Sequence, residues 1–260
     1  MYTLFISDTH LCESNPKIAE LFLKFLREKA TEANALYILG DLFNIWIGDD
    51  NQTLFNKTII AALRKLVDSG TPVFIMHGNR DFLIGKRFLK ESGCKLLKDP
   101  ALIHLYGVSV LLMHGDLLCT HDKKYKEFRK RSHNWLIQKL FLLQSLQKRQ
   151  KIAERYRAES QAYLSQQDST ITDVAPKAVE HVMKQYEVQY LIHGHTHRPA
   201  IHQFKIKDKL MTRAVLGQWT NSGNMIIIKP QSKDKLEIQY NEFDYQKTQN
   251  SANGHVINMN

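Results

Sequence analysis

Five short segments of the chain carry acidic, imidazole or amide side chains that could bind metal ions. The segments are Asp8-Thr9-His10, Gly40-Asp41, Gly78-Asn79-Arg80-Asp81, His114-Gly115-Asp116 and His193-Gly194-His195-Thr196-His197. Carboxylate, imidazole and amide oxygen together suit borderline-to-hard divalent ions such as Mn²⁺, Fe²⁺ or Zn²⁺, and the absence of thiolates argues against a soft metal. The segments therefore predict a centre for divalent cations.

Seven residues are the predicted ligands of this centre. They are Asp8, His10, Asp41, Asn79, His114, His195 and His197. Asp41 has two carboxylate oxygens and can bridge two ions at the separation of about 3.5–4 Å that two-metal hydrolases use. The alternation His195-Thr196-His197 predicts two imidazoles on one face of an extended segment. Any one of these residues alone is more often a satisfied polar group or a cap, but five coincident motifs favour metal binding. For His193, which ends an apolar run, we expect a structural role.

The elements that must position these side chains are apolar, β-rich runs that end directly before each motif. The runs cover residues 3–7, 35–39, 72–76, 108–113 and 188–192. Helical periodicity over residues 18–26 and 59–67 separates the first three runs and predicts crossover connections, hence an α/β fold. Short strands predicted around residues 204–206, 213–216, 225–228 and 236–240 suggest a second sheet packed against the first. Asp81 and Asp116 are candidates to orient ligands, with loop capping as an equal alternative.

The formal net charge of +10 belongs to one segment. Residues 123–157 hold twelve Lys or Arg and two Glu, which accounts for the whole surplus. Long apolar residues alternate with these charges, so we predict a helical insertion over residues 120–170. The alternation does not provide the flat stacking platforms of a nucleic-acid binder, and we predict no nucleic-acid partner. Residues 1–240 form the predicted catalytic domain, and the Asn-, Gln- and Ser-rich residues 241–260 a flexible tail.

The three cysteines, Cys12, Cys94 and Cys119, form no CxxC pair. We therefore expect no disulfide framework, and the composition favours a reducing cytoplasm. Met1 leads directly into a strand-like run, so no signal peptide is expected. No window of the sequence approaches the roughly 20 continuous apolar residues that span a bilayer.

The five motifs, taken in order, resemble those of the calcineurin-like metallophosphoesterase superfamily. That pattern runs Asp-x-His, Gly-Asp, Gly-Asn-His-Asp/Glu, His and Gly-His-x-His, and Arg80 replaces its usual histidine after the Asn. Gly-Asn-Arg-Asp is instead similar to the UDP-2,3-diacylglucosamine pyrophosphatases of lipid A biosynthesis. Further segments agree with that family over roughly residues 3–220, namely FISDTHLC, ALYILGDLF followed by WIGDD, HGNRDFLIGKRF, MHGDLLCTHD and LIHGHTHRPA.

The resemblance implies a four-layer αββα sandwich with a helical lid over residues 120–170. It implies two Mn²⁺ ions, one among Asp8, His10, Asp41 and His197, the other among Asp41, Asn79, His114 and His195. The implied reaction is attack of water on the α-phosphorus of UDP-2,3-diacylglucosamine, giving UMP and 2,3-diacylglucosamine 1-phosphate. Asp41, Asn79, Arg80 and His114 are the implied catalytic residues, with Arg80 as an always-charged donor to the diphosphate. A different phosphate-ester substrate remains the alternative within this chemistry.

The substrate contacts that the resemblance implies lie mostly in the insertion. They are Asn79, Arg80, Asp122, Tyr125, Arg157, Ser160, Leu164, Gln167 and His195. Leu164 and Gln167 depart from members that carry Asn and Lys there. An acylated substrate implies a peripheral protein on the cytoplasmic face of the Gram-negative inner membrane, and we expect a monomer. The basic, apolar insertion would then contact anionic lipid. The alternative is that residues 135–146 merely pack the lid onto the main domain.

Overall fold

The computed structural model describes residues 1–164, 173–233 and 235–244. Its helices are α1 (Pro16–Glu28), α2 (Leu54–Asp68), α3 (Lys86–Ser92), α4 (Lys123–Ser132), α5 (Trp135–Leu142), α6 (Leu146–Leu164) and α7 (Pro176–Gln185). The strands are β1 (Thr3–Ile6), β2 (Ala35–Leu39), β3 (Val73–Met76), β4 (Lys95–Leu97), β5 (Ala101–Leu105), β6 (Val108–Met113), β7 (Tyr190–His193), β8 (Ala200–Ile206), β9 (Lys209–Val215), β10 (Gly223–Ser232) and β11 (Lys235–Phe243). Elements that precede each predicted ligand motif are therefore strands, as the sequence predicts.

The strands form two sheets. A six-stranded sheet has the order β11-β10-β1-β2-β3-β4, and a five-stranded sheet has the order β5-β6-β7-β9-β8. In the first sheet β1 to β4 run parallel, with α1, α2 and α3 in the crossovers between them. In the second sheet β6, β7 and β9 run parallel. The first three ligand motifs thus follow one sheet, and the last two follow the other.

Three apolar cores lie between four layers. Leu4 and Ile6 of β1 pack with helices α1 and α2, whereas Phe5 between them packs into the core shared by both sheets. In the same way, Leu111 of β6 packs into the core beside α7, and the next residue, Leu112, packs into the core shared by both sheets. Successive side chains of a strand point to opposite faces, so strands buried on both faces are continuously apolar. The predicted four-layer αββα sandwich is confirmed.

Two expectations about the strands are wrong. The late strands do not build a second sheet by themselves: β10 pairs antiparallel with β1 in the first sheet, while β8 and β9 extend the second. Hydropathy indicates whether a strand is buried but not which strand it pairs with, so it could not assign the late strands to their two sheets. The tail predicted from 241 also begins too early, because β11 continues to Phe243 by pairing with β10. The remainder of that predicted tail, 245–260, lies outside the described residues.

Three helices, α4 to α6, occupy the segment for which the sequence predicts an insertion. We call residues 120–164 the helical insertion; the last part of the predicted segment, 165–172, lies outside the described residues. Helix α5 has no buried residue. Among the described residues, no helix is both long and apolar enough to cross a bilayer. Cys12, Cys94 and Cys119, all within the described residues, form no disulfide, and Cys94 and Cys119 are buried.

Candidate metal centre and adjoining cavity

The predicted ligands converge where the carboxyl ends of strands from both sheets meet. Asp8, Asp41 and Asn79 follow the adjacent strands β1, β2 and β3, and His114 follows β6. The backbone links these ends across the sheets, because the amide of His195 donates to Asp8 Oδ2 at 2.9 Å. The ring of His114 also donates from Nδ1 to the carbonyl of Leu39, at 2.8 Å, which leaves Nε2 facing the centre.

Five of the seven predicted ligands have a left-handed backbone. They are Asp8, His10, Asp41, His195 and His197, with φ between 47° and 68°. Non-glycine residues rarely adopt this conformation, and such strain concentrates at functional sites. The expected extended segment at His195-Thr196-His197 is therefore wrong. The turn sends His195 towards Asn79 and His197 towards Asp8, so the two imidazoles serve different halves of the centre.

Donor atoms form two groups that share Asp41. In the first, single ligand atoms of Asp8, His10 and His197 lie within 4.8 Å of one another. In the second, Asn79 Oδ1 lies 3.0 Å from His114 Nε2 and 3.0 Å from His195 Nδ1.

Asp41 faces both groups. Its Oδ2 is 3.9 Å from His10 Nδ1, and its Oδ1 is 3.9 Å from His114 Nε2. One carboxylate oxygen per group is the arrangement that a bridging ligand requires.

Two buried polar atoms of the centre have no hydrogen-bond partner within the described part of the chain. They are Asp8 Oδ1 and His10 Nδ1. Asp8 Oδ2 is occupied by the Ser7 hydroxyl and the His195 amide. An unpaired buried carboxylate oxygen is costly unless a cation satisfies it. The residues therefore fit a divalent ion, since oxygen and imidazole donors converge and two buried donor atoms lack a hydrogen bond within the described residues, Asp8 Oδ1 lying 3.4 Å from His197 Nε2.

Burial and neighbouring charges raise the pKa of some of these groups and lower the pKa of others. Burial raises the pKa of Asp41 to about 7. Burial and the charge of His114 lower the pKa of His195 to about 3, so its imidazole is neutral at physiological pH, as ligation requires. For His114, burial opposes the charged form, but the carboxylates led by Asp41 outweigh it and raise the pKa to about 9. Divergent shifts in one buried cluster are typical of a functional site.

Asp81 holds the two loops that carry Asp41 and Asn79. Its carboxylate is fully buried and accepts amides of Asp41 (3.3 Å), Leu42 (2.7 Å), Phe43 (3.4 Å) and Gly78 (2.8 Å). A Cβ at Gly78 would collide with Oδ1 of Asp41, so only glycine allows this approach. All four contacts are to backbone amides, so of the two roles left open for Asp81 they favour loop hydrogen bonding, which holds the segments that carry Asp41 and Asn79.

A cavity of about 810 Å³ opens from the centre beneath the helical insertion. Its polar end includes His10, Asp41, Asn79, Arg80, His195 and His197. Its apolar walls include Trp46, Phe82, Phe128, Ile137, Phe141 and Ile152. The cavity therefore joins a metal-type donor cluster to an apolar compartment, as expected for a substrate with a charged group and a lipid part.

Most of the predicted substrate contacts line this cavity. Arg80, Asp122, Tyr125, Arg157 and Ser160 all do so. Arg80 and Arg157 line the same cavity, and burial, followed by the charge of Arg80, lowers the pKa of Arg157. Two neighbouring guanidinium groups favour a polyanionic ligand.

Two of the residues have structural partners as well. Asp122 caps α4 through the amide of Tyr125 at 2.8 Å, and the Tyr125 hydroxyl donates to Asp116. The side chain of Leu164 and all of Gln167 lie outside the described residues.

Sequence reasoning missed two arginines that tie the insertion to the sheets. Arg129 of α4 donates to Asp116 at 2.6 Å and to Asp99 at 3.4 Å. Arg149 of α6 is 2% exposed and pairs with Asp50. Nothing local distinguishes these two from the other basic residues of 123–157, so only the tertiary structure identifies them.

Comparison with known proteins accounts for this arrangement. The sequence profile described as "Calcineurin-like phosphoesterase" matches residues 1–199. The chain belongs to the calcineurin-like phosphoesterase family. Membership of this family implies binding of divalent metal, in agreement with two sets of residues whose ligand atoms lie within 4.8 Å of one another: Asp8, His10 and His197, and Asp8, Asp41 and His114.

Within the family, the chain is similar to proteins named "UDP-2,3-diacylglucosamine hydrolase". The protein of that name from Serratia proteamaculans is 47% identical over 240 residues, covering 92% of this chain and 100% of the relative. The one from Pseudomonas fluorescens is 49% identical over 244 residues, covering 93% and 95%. The one from Salmonella paratyphi C is 49% identical over 238 residues, covering 92% and 98%. The similarity thus includes the insertion as well as the metal centre.

Proposed function

We propose that the protein hydrolyses the diphosphate of UDP-2,3-diacylglucosamine by attack of water at the α-phosphorus. The products are UMP and 2,3-diacylglucosamine 1-phosphate, so the reaction serves lipid A biosynthesis. The observation that carries the proposal is the continuous cavity of about 810 Å³ that joins the donor cluster to an apolar compartment. The relatives that bear the name of this activity match this chain over at least 92% of its length.

We propose two Mn²⁺ ions as the cofactors. Asp8, His10, Asp41 and His197 would hold one, and Asp41, Asn79, His114 and His195 the other. When bound, the ions would lower the pKa of a water molecule and neutralise phosphoryl charge. The two orientations of the Asp41 oxygens, each 3.9 Å from an imidazole of one group, support its bridging role.

The chain's own residues would bind and orient the diphosphate. Arg80 and Arg157 lie close enough for their charges to interact, and both line the polar part of the cavity. Arg80 would donate to phosphoryl oxygens with a planar, permanently charged group. Its own amide donates to Asp41 Oδ1 at 2.8 Å, which couples the position of Arg80 to that of the shared ligand. No protein nucleophile is required.

The helical insertion would act as the lid of a catalytic domain formed by residues 1–240. Phe128, Ile137, Phe141 and Ile152 of the insertion face the cavity and would contact acyl chains. Asp122, Tyr125 and Ser160, together with Leu164 and Gln167, would complete the headgroup site. Asp122 and Tyr125 are held by contacts within the insertion and to Asp116, which supports a pre-formed site.

We propose that the outer face of the insertion contacts the cytoplasmic face of the inner membrane. Trp135 and Leu143 are 71% and 74% exposed, and Leu136 and Leu140 about half exposed, so this face does not pack onto the main domain. The basic surplus of 123–157 lies in the same segment. Basic residues near an anionic leaflet contribute about 1 kcal/mol each. We propose a monomer with no nucleic-acid partner.

Incubation of the Mn²⁺-loaded protein with UDP-2,3-diacylglucosamine in H₂¹⁸O tests the activity. Release of UMP that carries the ¹⁸O label is expected, since water attacks the α-phosphorus. UDP-N-acetylglucosamine, which lacks the acyl chains, is the control and should be a poor substrate. Absence of UMP alongside rapid hydrolysis of another phosphate ester would contradict the proposal.

A further inference from the structure

Arg149 makes an unusual set of contacts for a residue of a basic surface helix. Its guanidinium is 2% exposed. Nη1 donates to the Ile47 carbonyl at 2.7 Å and to Asp50 Oδ1 at 2.8 Å, while Nη2 donates to Asp50 Oδ2. Nε donates to the Gln144 carbonyl, at 3.0 Å, in the turn between α5 and α6. A buried guanidinium with most of its five donors satisfied in one planar fork fixes the geometry of its partners.

The loop that receives Arg149 is itself tied to the metal centre. The amide of Trp46 donates to the Arg80 carbonyl at 3.0 Å. The indole of Trp46 donates to Asp49 at 3.1 Å, and Asp49 accepts the amide of Gly85 at 2.9 Å before helix α3. Residues 46–50 therefore form a braced support between Arg80 and α6.

Gly48 permits this contact. Its φ of +129° suits glycine, and a Cβ there would lie 2.5 Å from Arg149 Nη1 and 2.8 Å from Leu142 Cδ2. The support loop is thus shaped so that the guanidinium and the end of α5 approach its backbone directly.

Arg149 lies on the stripe of α6 that faces the cavity. Residues three or four apart share one face of a helix, and Ile152, Tyr156 and Ser160 continue the stripe from Arg149 and line the cavity, with Arg157 beside them. Ser160 is eleven positions from Arg149, a distance of about 16 Å along a helix. Fixing Arg149 therefore fixes the rotation of α6 about its axis, and with it the direction in which Ile152, Tyr156 and Ser160 face.

We infer that Arg149 is a positioning residue, which anchors α6 to the 46–50 loop and thereby sets Arg157 and Ser160 for binding of substrate. The contact of Arg149 with the 46–50 loop connects the insertion to Arg80 by way of Trp46, so the connection does not depend on bound substrate. Arg149 itself does not touch the reacting atoms. The inference rests on the proposed function for its kinetic consequence, but the anchoring is measurable without substrate.

The test compares Arg149→Met, Arg149→Lys and Asp50→Asn with the control Arg155→Met. Arg155 lies on the same helix and pairs with Glu159, and its side chain is 81% exposed. Two readouts are measured on the metal-loaded full chain: hydrogen exchange of the amides of residues 146–160, and KM and kcat with UDP-2,3-diacylglucosamine.

In Arg149→Met, faster exchange over 146–160 and a KM raised about tenfold are expected, with kcat within about threefold of wild type. Arg149→Lys keeps the charge but not the fork and should recover part of the loss. Asp50→Asn should give a smaller increase in KM, and Arg155→Met should match wild type in both readouts. A merely stabilising role would lower the active fraction, hence kcat, and leave KM unchanged.

Unchanged exchange in Arg149→Met would overturn the inference, as would an equal effect in Arg155→Met or a loss confined to kcat. If the wild-type protein does not release UMP, the proposed function fails. The exchange measurement then still decides whether Arg149 anchors α6.

Discussion

The metal centre and the helical insertion are held in place by different means. At the centre, Asp8, Asp41 and His114 are at most 2% exposed and are fixed by backbone hydrogen bonds from strand ends of both sheets. In the insertion, α5 has no buried residue, and Trp135 is 71% exposed. Since α5 buries no residue, the ion pairs made by Arg129 of α4 and Arg149 of α6 carry more of the placement of the insertion.

We interpret this difference as a division of roles, in which the metal centre carries out the chemistry and the insertion binds the substrate. The predicted ligands, such as Asp41, are strained and buried and so have little freedom, which suits a centre that holds cations at fixed positions. The insertion keeps apolar side chains on its outer face and others in the cavity, which suits contact with a lipid on both sides. Changes at the centre should therefore abolish turnover, whereas changes in the insertion should alter binding.

Asp41→Asn should have the largest effect. Asparagine keeps an oxygen for the Arg80 amide but has only one oxygen and no charge, so it cannot bridge two cations. We expect a loss of turnover of about a thousandfold or more and less than two metal ions per chain. Metal analysis and UMP release measure both. Asp68→Asn, an exposed carboxylate of α2, is the control. Near-normal turnover with two ions bound would contradict the shared-ligand role.

Arg80→Met should reduce turnover by about a hundredfold with both metal ions retained. The side chain supplies a charged donor to the diphosphate, but the amide that contacts Asp41 remains. Arg87→Met, whose exposed side chain pairs with Glu91, is the matched control. Equal loss of metal in Arg80→Met and Asp41→Asn would place Arg80 among the residues that hold the ions.

Asp81→Asn should weaken metal binding about ten- to hundredfold without removing any ligand. The amide nitrogen replaces one carboxylate oxygen and cannot accept the two backbone amides that this oxygen holds, either those of Asp41 and Gly78 or those of Leu42 and Phe43. The free energy of unfolding of the metal-free protein should fall by about 1–3 kcal/mol. Titration with Mn²⁺ and thermal unfolding in chelator separate the two effects. Loss of stability with unchanged metal affinity would limit Asp81 to a structural role.

The double variant Trp135→Ser with Leu143→Ser should have the smallest effect on turnover. We expect binding to anionic vesicles to fall about tenfold, because less apolar surface enters the interface. Turnover of detergent-dispersed substrate should stay within about twofold, since neither residue lines the cavity. Leu54→Ser, 82% exposed on α2, is the control for vesicle sedimentation. An equal loss of vesicle binding in Leu54→Ser would show that the insertion is not the membrane contact.

Local patterns predict the strands and bring the ligand candidates to one site. Short motifs such as Asp8-Thr9-His10 directly follow a buried strand, so the strand fixes where the side chains go. Apolar periodicity also predicts the helices between the first three motifs, because it marks the buried face of α1 and α2.

Features set by distant contacts are not predictable in this way. The pairing of β10 with β1 depends on residues more than 200 positions apart, and no local signal marks it. The left-handed turn at His195 and His197 follows from contacts with Asp8 and Asn79 and not from the alternation of residue types. Arg149 is distinguished only by Asp50, which lies 99 positions earlier.

The central claim is that Asp41 joins two cations held by residues from both sheets. Anomalous diffraction from crystals grown with Mn²⁺, measured at the manganese absorption edge, tests it most directly. Two peaks about 3.5–4 Å apart are expected, one on either side of the Asp41 carboxylate. A single peak, or none within reach of Asp41 at saturating Mn²⁺, would contradict it.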